Sequence, residues 1–228
     1  MPAHQLKYKR YAKIALSESA LMAELRVPVS ATGLIIFMHG GNRAHHSPGN
    51  LHLADVFNAA GFATLLADLL TSQEAVTDEL SLEYQFNIEL LGQRAAVIID
   101  WARNDGATAD WPVGIFATST GTAAALIAAA EYPETVLAVV SSAGRPDLAV
   151  SVLRAVSAPT LMIVGERDDI ILTRNREAFR EMVGRNKLEI VRGAGHLFDQ
   201  EYALDRVANL SRAWFENYIV ARQRRAVG

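Results

Sequence analysis

Strand candidates lie at Ala63–Ala67, Val113–Ala117, Val136–Val140, Thr160–Val164 and Leu188–Val191, and at Leu34–Met38, which runs apolar without alternation. A strand covered on both faces reads this way, whereas a strand with one wet face alternates. Between these runs apolar positions recur at helical spacing. A helix from about Asn50 to Ala60 carries Leu53, Val56, Phe57 and Ala60 on one face and stops at Gly61. A longer one, about Phe86 to Arg103, aligns Ile88, Leu91, Ala95, Ile98 and Ala102. The alanine-rich stretch Thr122–Ala130, a segment near Arg174–Val183 ending at Gly184, and a closing helix over about Glu201–Val220 complete the set. Upstream, Ala12–Leu16 and Leu21–Val27 flank Ser17-Glu18-Ser19 as an antiparallel hairpin at a sheet edge. Leu69–Tyr84 is acidic and aperiodic, and reads as a long loop or small lid. Strands alternating with helices of this length predict an α/β fold: a mostly parallel, doubly wound sheet with helices on both faces. No linker, repeat or low-complexity run divides residues 1–228, so a single domain is expected.

Composition narrows the function classes. Half of the 228 residues are hydrophobic, enough for one sizeable core. The net charge of −3 argues against nucleic acid or an anionic membrane as partner. The basic end, Arg222, Arg224 and Arg225, reads as a solvated complement to the last helix dipole. With no cysteine, disulfides, thiolate metal sites and cysteine nucleophiles are excluded together. Met1–Lys13 has no apolar core of a secretory signal, and the apolar stretch near Ala123–Ala130 is too short to span a bilayer. A cytoplasmic protein is expected, with association between copies left open.

In open α/β sheets, sites form just beyond the carboxyl ends of the strands. Those positions hold His39-Gly40-Gly41-Asn42, then Ser119, then Gly165-Glu166-Arg167-Asp168-Asp169, then Gly193-Ala194-Gly195-His196. Ala117-Thr118-Ser119-Thr120-Gly121 follows the pattern G-x-S-x-G, with alanine in place of the first glycine. A serine in a tight turn between strand and helix lifts its hydroxyl clear of the sheet. The competing reading makes Ser119 an ordinary helix N-cap. A serine needs a base to take its proton, and His196 has a near-neutral intrinsic pKa. The imidazole in turn needs an acceptor on its other nitrogen, for which Asp168 is placed. The chain order Ser119, Asp168, His196 is the order used by α/β-hydrolases.

The chain resembles an α/β-hydrolase of the dienelactone hydrolase-like group, from about Leu34 to the last helix. The matching residues are His39-Gly40-Gly41, Ser47-Pro48 with Asn50, Asp68-Leu69-Leu70, Ser119-Thr120-Gly121, Gly144-Arg145-Pro146-Asp147-Leu148, Gly165 with Asp168, and Gly195-His196-Leu197-Phe198. Dienelactone hydrolases proper use a cysteine nucleophile, so the resemblance implies fold and triad geometry but not the particular lactone. It favours Asp168 over Asp169 as the acid. Asp147 is a third option, though capping a helix that starts at Leu148 suits it better.

The backbone N–H groups of Thr120 and Gly41 would form an oxyanion hole, with Asn42 an alternative to Gly41. His39 is expected to stiffen its loop, and His4 and His52 to lie at the surface. His45 and His46 are adjacent but have no carboxylates with which to build a metal site, so no metal or cofactor is expected. Arg145 could bind an anionic substrate group or form a salt bridge to Asp147, and Phe198 could contact substrate. The expected activity is a serine hydrolase acting on a small carboxylic ester, lactone or thioester through an acyl-enzyme. The alternatives are an acyltransferase or perhydrolase on the same triad, or a catalytically silent binding protein.

Overall fold

The computed structural model describes residues 6–40 and 47–220. Gly41, Asn42, His45, His46, His4 and the basic end, all singled out above, lie outside those residues. The eight strands are β1 (Leu6–Ala15), β2 (Ala20–Pro28), β3 (Leu34–His39), β4 (Ala63–Asp68), β5 (Val113–Thr118), β6 (Val136–Ser142), β7 (Thr160–Gly165) and β8 (Asn186–Val191). They form one sheet in the order β1-β2-β4-β3-β5-β6-β7-β8. β1 and β2 make the expected antiparallel hairpin, and β2 joins β4 antiparallel. All pairings from β4 to β8 are parallel. The winding reverses between β3 and β5, which makes their carboxyl ends the switch point of the sheet.

The uninterrupted apolar runs are covered twice over. Ile36, Met38, Ile115, Ala117 and Val139 face a core built with α3 (Ile88–Asn104) and α4 (Gly121–Glu131). Their neighbours Ile35, Phe37, Phe116, Ala138 and Val140 face the opposite core, with α1 (Pro48–Ala59) and α6 (Glu201–Phe215). In that second core Phe37, Phe57, Phe116 and Phe215 meet at ring-centroid distances of 5.2–5.9 Å, in tilted or edge-on arrangements. After Phe215 the last helix widens into a π-helical turn, Glu216–Val220, which carries buried Ile219 against Gly33 and Gly114.

Three expectations are corrected. Residues 69–84 are not a loop: Ser72–Ser81 forms a helix, α2. Thr71 and Glu74 close a capping box at its start, and Arg94 on α3 pairs with Glu74 at 3.0 Å. The helix placed near Arg174 begins earlier, as α5 (Asp169–Glu181), because Ile171 and Leu172 are buried against Val164. The helix expected at Leu148 is a single 3-10 turn, Pro146–Ala149, followed by a second at Leu153–Ala155. Asp147 lies inside the first turn and caps nothing. No helix among the described residues is long and apolar enough to cross a membrane.

Candidate active site

Ser119 occupies the turn between β5 and α4 with φ +51°, in the left-handed region that costs a non-glycine residue about 1–2 kcal/mol. Two hydrogen bonds to its carbonyl hold it there, from the N–H of Thr122 at 3.1 Å and of Arg145 at 3.0 Å. The N-cap of α4 is Thr120, one residue later, so the plain N-cap reading of Ser119 is not the one observed. At that position the Thr120 N–H belongs to the group that no helical carbonyl can reach. The turn is possible because α4 starts almost in contact with β3: a Cβ on Gly121 would lie 2.5 Å from the Met38 carbonyl oxygen and 2.9 Å from the Gly40 nitrogen. A glycine at the helix end of the serine motif is therefore a packing requirement.

His196 lies in the loop between β8 and α6, and its Nδ1 is 2.6 Å from Oδ2 of Asp168. Asp168 closes the turn after β7, and its side chain is only 11% exposed. Backbone bonds join the two loops: Arg167 N–H donates to Ala194 O at 2.9 Å, and Glu166 N–H to Val191 O at 3.0 Å. The Glu166 carboxylate accepts the Gly193 N–H at 2.8 Å. A side chain on Gly165 would overlap the carbonyl oxygen of Gly195, so this junction is tight for the same reason as the serine turn.

Ser119 and His196 line one cavity of about 300 Å³ above the switch point. Its apolar wall includes Leu53 of α1, Phe116 of β5, Phe198, and Leu204 and Val207 of α6. Phe198 is buried, with φ +48°. His39, Thr118 and Ser142, the last residues of three adjacent strands, contribute polar groups. Ser142 and Thr118 went unnoticed in the sequence. Alternation along each strand indicates which way they face, but not that the strand ends are level with one another. No residue of 69–84 lines the cavity, so α2 is not a lid over it.

The other acidic candidates lie elsewhere. Asp169 is the exposed first residue of α5. Asp147 accepts from Arg145 Nε and Nη2 at 2.9 and 2.8 Å, and from Arg174 Nη1 at 2.9 Å. Burial alone would raise its pKa, but hydrogen bonds and charge from Arg145, then Arg174, reverse this and hold its carboxyl below the ordinary value. Of the two roles left for Arg145, the salt bridge is the one observed. Its side chain does not line the cavity, and it reaches the serine turn through its backbone N–H. His52 bonds Asp205 at 2.9 Å and ties α1 to α6 on the surface.

The family model of the dienelactone hydrolase family matches residues 28–218. The crystal structure of a dienelactone hydrolase from Anabaena variabilis superposes with a TM-score of 0.90 at 42% identity, covering 95% of this chain and all of that one. Est1E from Butyrivibrio proteoclasticus shares the fold at 15% identity, with a TM-score of 0.72 over 89% of this chain and 98% of its own. Among curated proteins, two strains of Mycobacterium tuberculosis carry a relative 44% identical over 195 residues, named provisionally as a phosphoribosyl transferase. The match takes in 86% of this chain but only 43% of that relative, so the chain spans less than half its length. Matched along most of its length by the family model, and sharing its fold with a solved dienelactone hydrolase, the chain has the α/β-hydrolase fold and belongs to the dienelactone hydrolase family.

Proposed function

We propose that the chain is a serine hydrolase that cleaves a small carboxylic ester, lactone or thioester through an acyl-enzyme on Ser119. The observation that carries this reading is the 2.6 Å contact between His196 Nδ1 and Asp168 Oδ2, made where His196 shares a cavity with Ser119. An acceptor at Nδ1 favours the tautomer with its proton there and leaves Nε2 as a base. In acylation Ser119 Oγ attacks the acyl carbon, Nε2 takes the hydroxyl proton, and the carbonyl electron pair moves onto oxygen. The Thr120 N–H donates to that oxyanion, with Gly41 N–H as the second donor implied by the sequence pattern. Collapse re-forms the carbonyl and breaks the bond to the leaving group, which receives the proton from Nε2. Water then attacks the acyl-enzyme with His196 as base, releasing the acid and the free serine.

The transferase name of the mycobacterial relatives does not alter this reading. The part they share with this chain is a hydrolase family match, and we assign phosphoribosyl chemistry in those proteins to the length this chain does not span. The test is hydrolysis of a short activated ester by the wild type and by Ser119→Ala and His196→Ala. Both variants should fall to near-background rates, and a Ser119→Ala protein with wild-type turnover would overturn the reading.

A further inference from the structure

The cavity holds hydroxyl groups that neither the fold nor the proposed reaction uses. β5 and β6 run in parallel register with Thr118 opposite Ser142, and β3 and β5 with His39 opposite Thr118. Alternation puts all three on the α1/α6 face, one step beyond Phe37, Phe116 and Val140 of the core below. The switch point therefore ends in a polar row lying directly on an aromatic and aliphatic floor. Ser142 is only 4% exposed and lines the cavity. Thr118 lines the same cavity beside Ser119, and its Oγ1 is buried and without a hydrogen-bond partner among the described residues.

Buried hydroxyls left unpaired are costly, and an all-hydrocarbon substrate would leave Thr118 unpaired and give Ser142 no polar partner. Leu53, Phe116, Leu204 and Val207 offer them nothing. We propose that Thr118 and Ser142 form a polar subsite that selects substrates carrying a neutral hydroxyl or oxo oxygen within a few bonds of the scissile carbonyl. This deepens the serine hydrolase reading and rests on it. Neutrality follows from the charges around the cavity. Among the described residues no lysine or arginine lines it, and Arg145 is engaged with Asp147. Against those described residues a substrate carboxylate would be desolvated without a lysine or arginine counter-charge, which hydroxyl donors alone do not offset. Each serine or threonine hydroxyl can both donate and accept, so the pair suits an alcohol as well as a ketone oxygen.

The test compares ethyl butanoate with its 2-hydroxy, 3-hydroxy and 3-oxo analogues and with monoethyl succinate. Acid release is titrated for the wild type, Ser142→Ala, Thr118→Val and the double variant. The readout is the ratio of kcat/KM for each substituted ester to that for the butanoate. Its change between wild type and variant cancels the intrinsic reactivity of the esters and any general loss of active protein. At least one neutral oxygen-bearing ester should be preferred, with the ratio falling on the order of tenfold in Ser142→Ala, further in the double variant, and with no preference for the succinate. A ratio unchanged by Ser142→Ala, or a preference for the succinate, overturns the subsite. Fluorophosphonate labelling of Ser119 in parallel separates the two ideas. Labelled protein with an unchanged ratio overturns the subsite alone, whereas protein that neither labels nor hydrolyses any ester overturns the hydrolase reading and the subsite with it.

Discussion

Replacing Gly121 by alanine tests whether the serine turn depends on the near-contact of α4 with β3. The added Cβ would lie 2.5 Å from the Met38 carbonyl oxygen, about 0.9 Å inside the 3.4 Å at which ordinary van der Waals contact begins. Both obstacles, Met38 O and Gly40 N, are backbone, so no rotamer change relieves them. The helix start and the strand end must move apart by most of that distance. Overpacking of this kind costs about 1–3 kcal/mol, or roughly 2–12 °C in Tm for a chain of this size. Displacements near 1 Å at reacting groups lower rates by about 10²-fold, and Thr120 and Ser119 move with Gly121. Gly92→Ala on α3 is the control. The atoms nearest its Cβ would all belong to the Ile127 side chain, at 3.1 Å and beyond, and it gains the roughly 0.5–1 kcal/mol by which alanine exceeds glycine in helices. Thermal unfolding and ester turnover of both variants decide the matter. A Gly121→Ala protein with unchanged Tm and turnover would refute the claim that this contact shapes the turn.

Other outcomes follow from the same geometry. Asp168→Asn should lower kcat on the order of 10³-fold or more while leaving the fold intact, because the imidazole loses its orienting acceptor. If Asp147→Asn or Asp169→Asn does this instead, Asp168 is not the acid. Glu24 is 2% exposed and paired with Lys9 at 2.9 Å and Arg26 at 2.5 Å. Burial would raise its pKa, but those hydrogen bonds and charges outweigh it and leave the carboxyl below its ordinary value of 4.5. A lowered folded pKa means stability that is fully present above 4.5 and lost as pH falls through the folded value. Urea titrations from pH 7 to 3 should show Glu24→Gln less stable by on the order of 1–3 kcal/mol at pH 7, with a shallower decline into acid; an unchanged decline would contradict this. The cavity of about 300 Å³ suits short acyl groups, so kcat/KM for p-nitrophenyl esters should peak near acetyl to butyryl; a climb continuing past about eight carbons would contradict it.

The parts of this fold that were legible in the sequence are those where burial is complete. Leu34–Met38 and Val113–Ala117 are apolar at every position because helices cover both faces, and their ends locate the site loops. The helix α2 escaped because only Ala75 and Asp78 are buried on it, so hydrophobic periodicity has almost nothing to register. Its signal was local instead, the Thr71-x-x-Glu74 capping box. The start of α5 was obscured in a similar way, by exposed Ile170 and a run of charges ahead of Ile171. At the site, Ser119, Asp168 and His196 could be singled out because each lies just beyond the end of a strand legible in the sequence. The row of Thr118 and Ser142 could not, since it depends on inter-strand register. The salt bridge joining Asp147, Arg145 and Arg174 spans two elements whose packing no local pattern specifies.

The proposed acyl-enzyme is tested most directly by treating the folded protein with a fluorophosphonate and mapping the adduct by peptide mass spectrometry. A stoichiometric adduct on Ser119 is predicted, absent from Ser119→Ala and slowed in Asp168→Asn. Labelling that persists in Ser119→Ala, or that maps to another residue of the active protein, would contradict the assignment of the nucleophile.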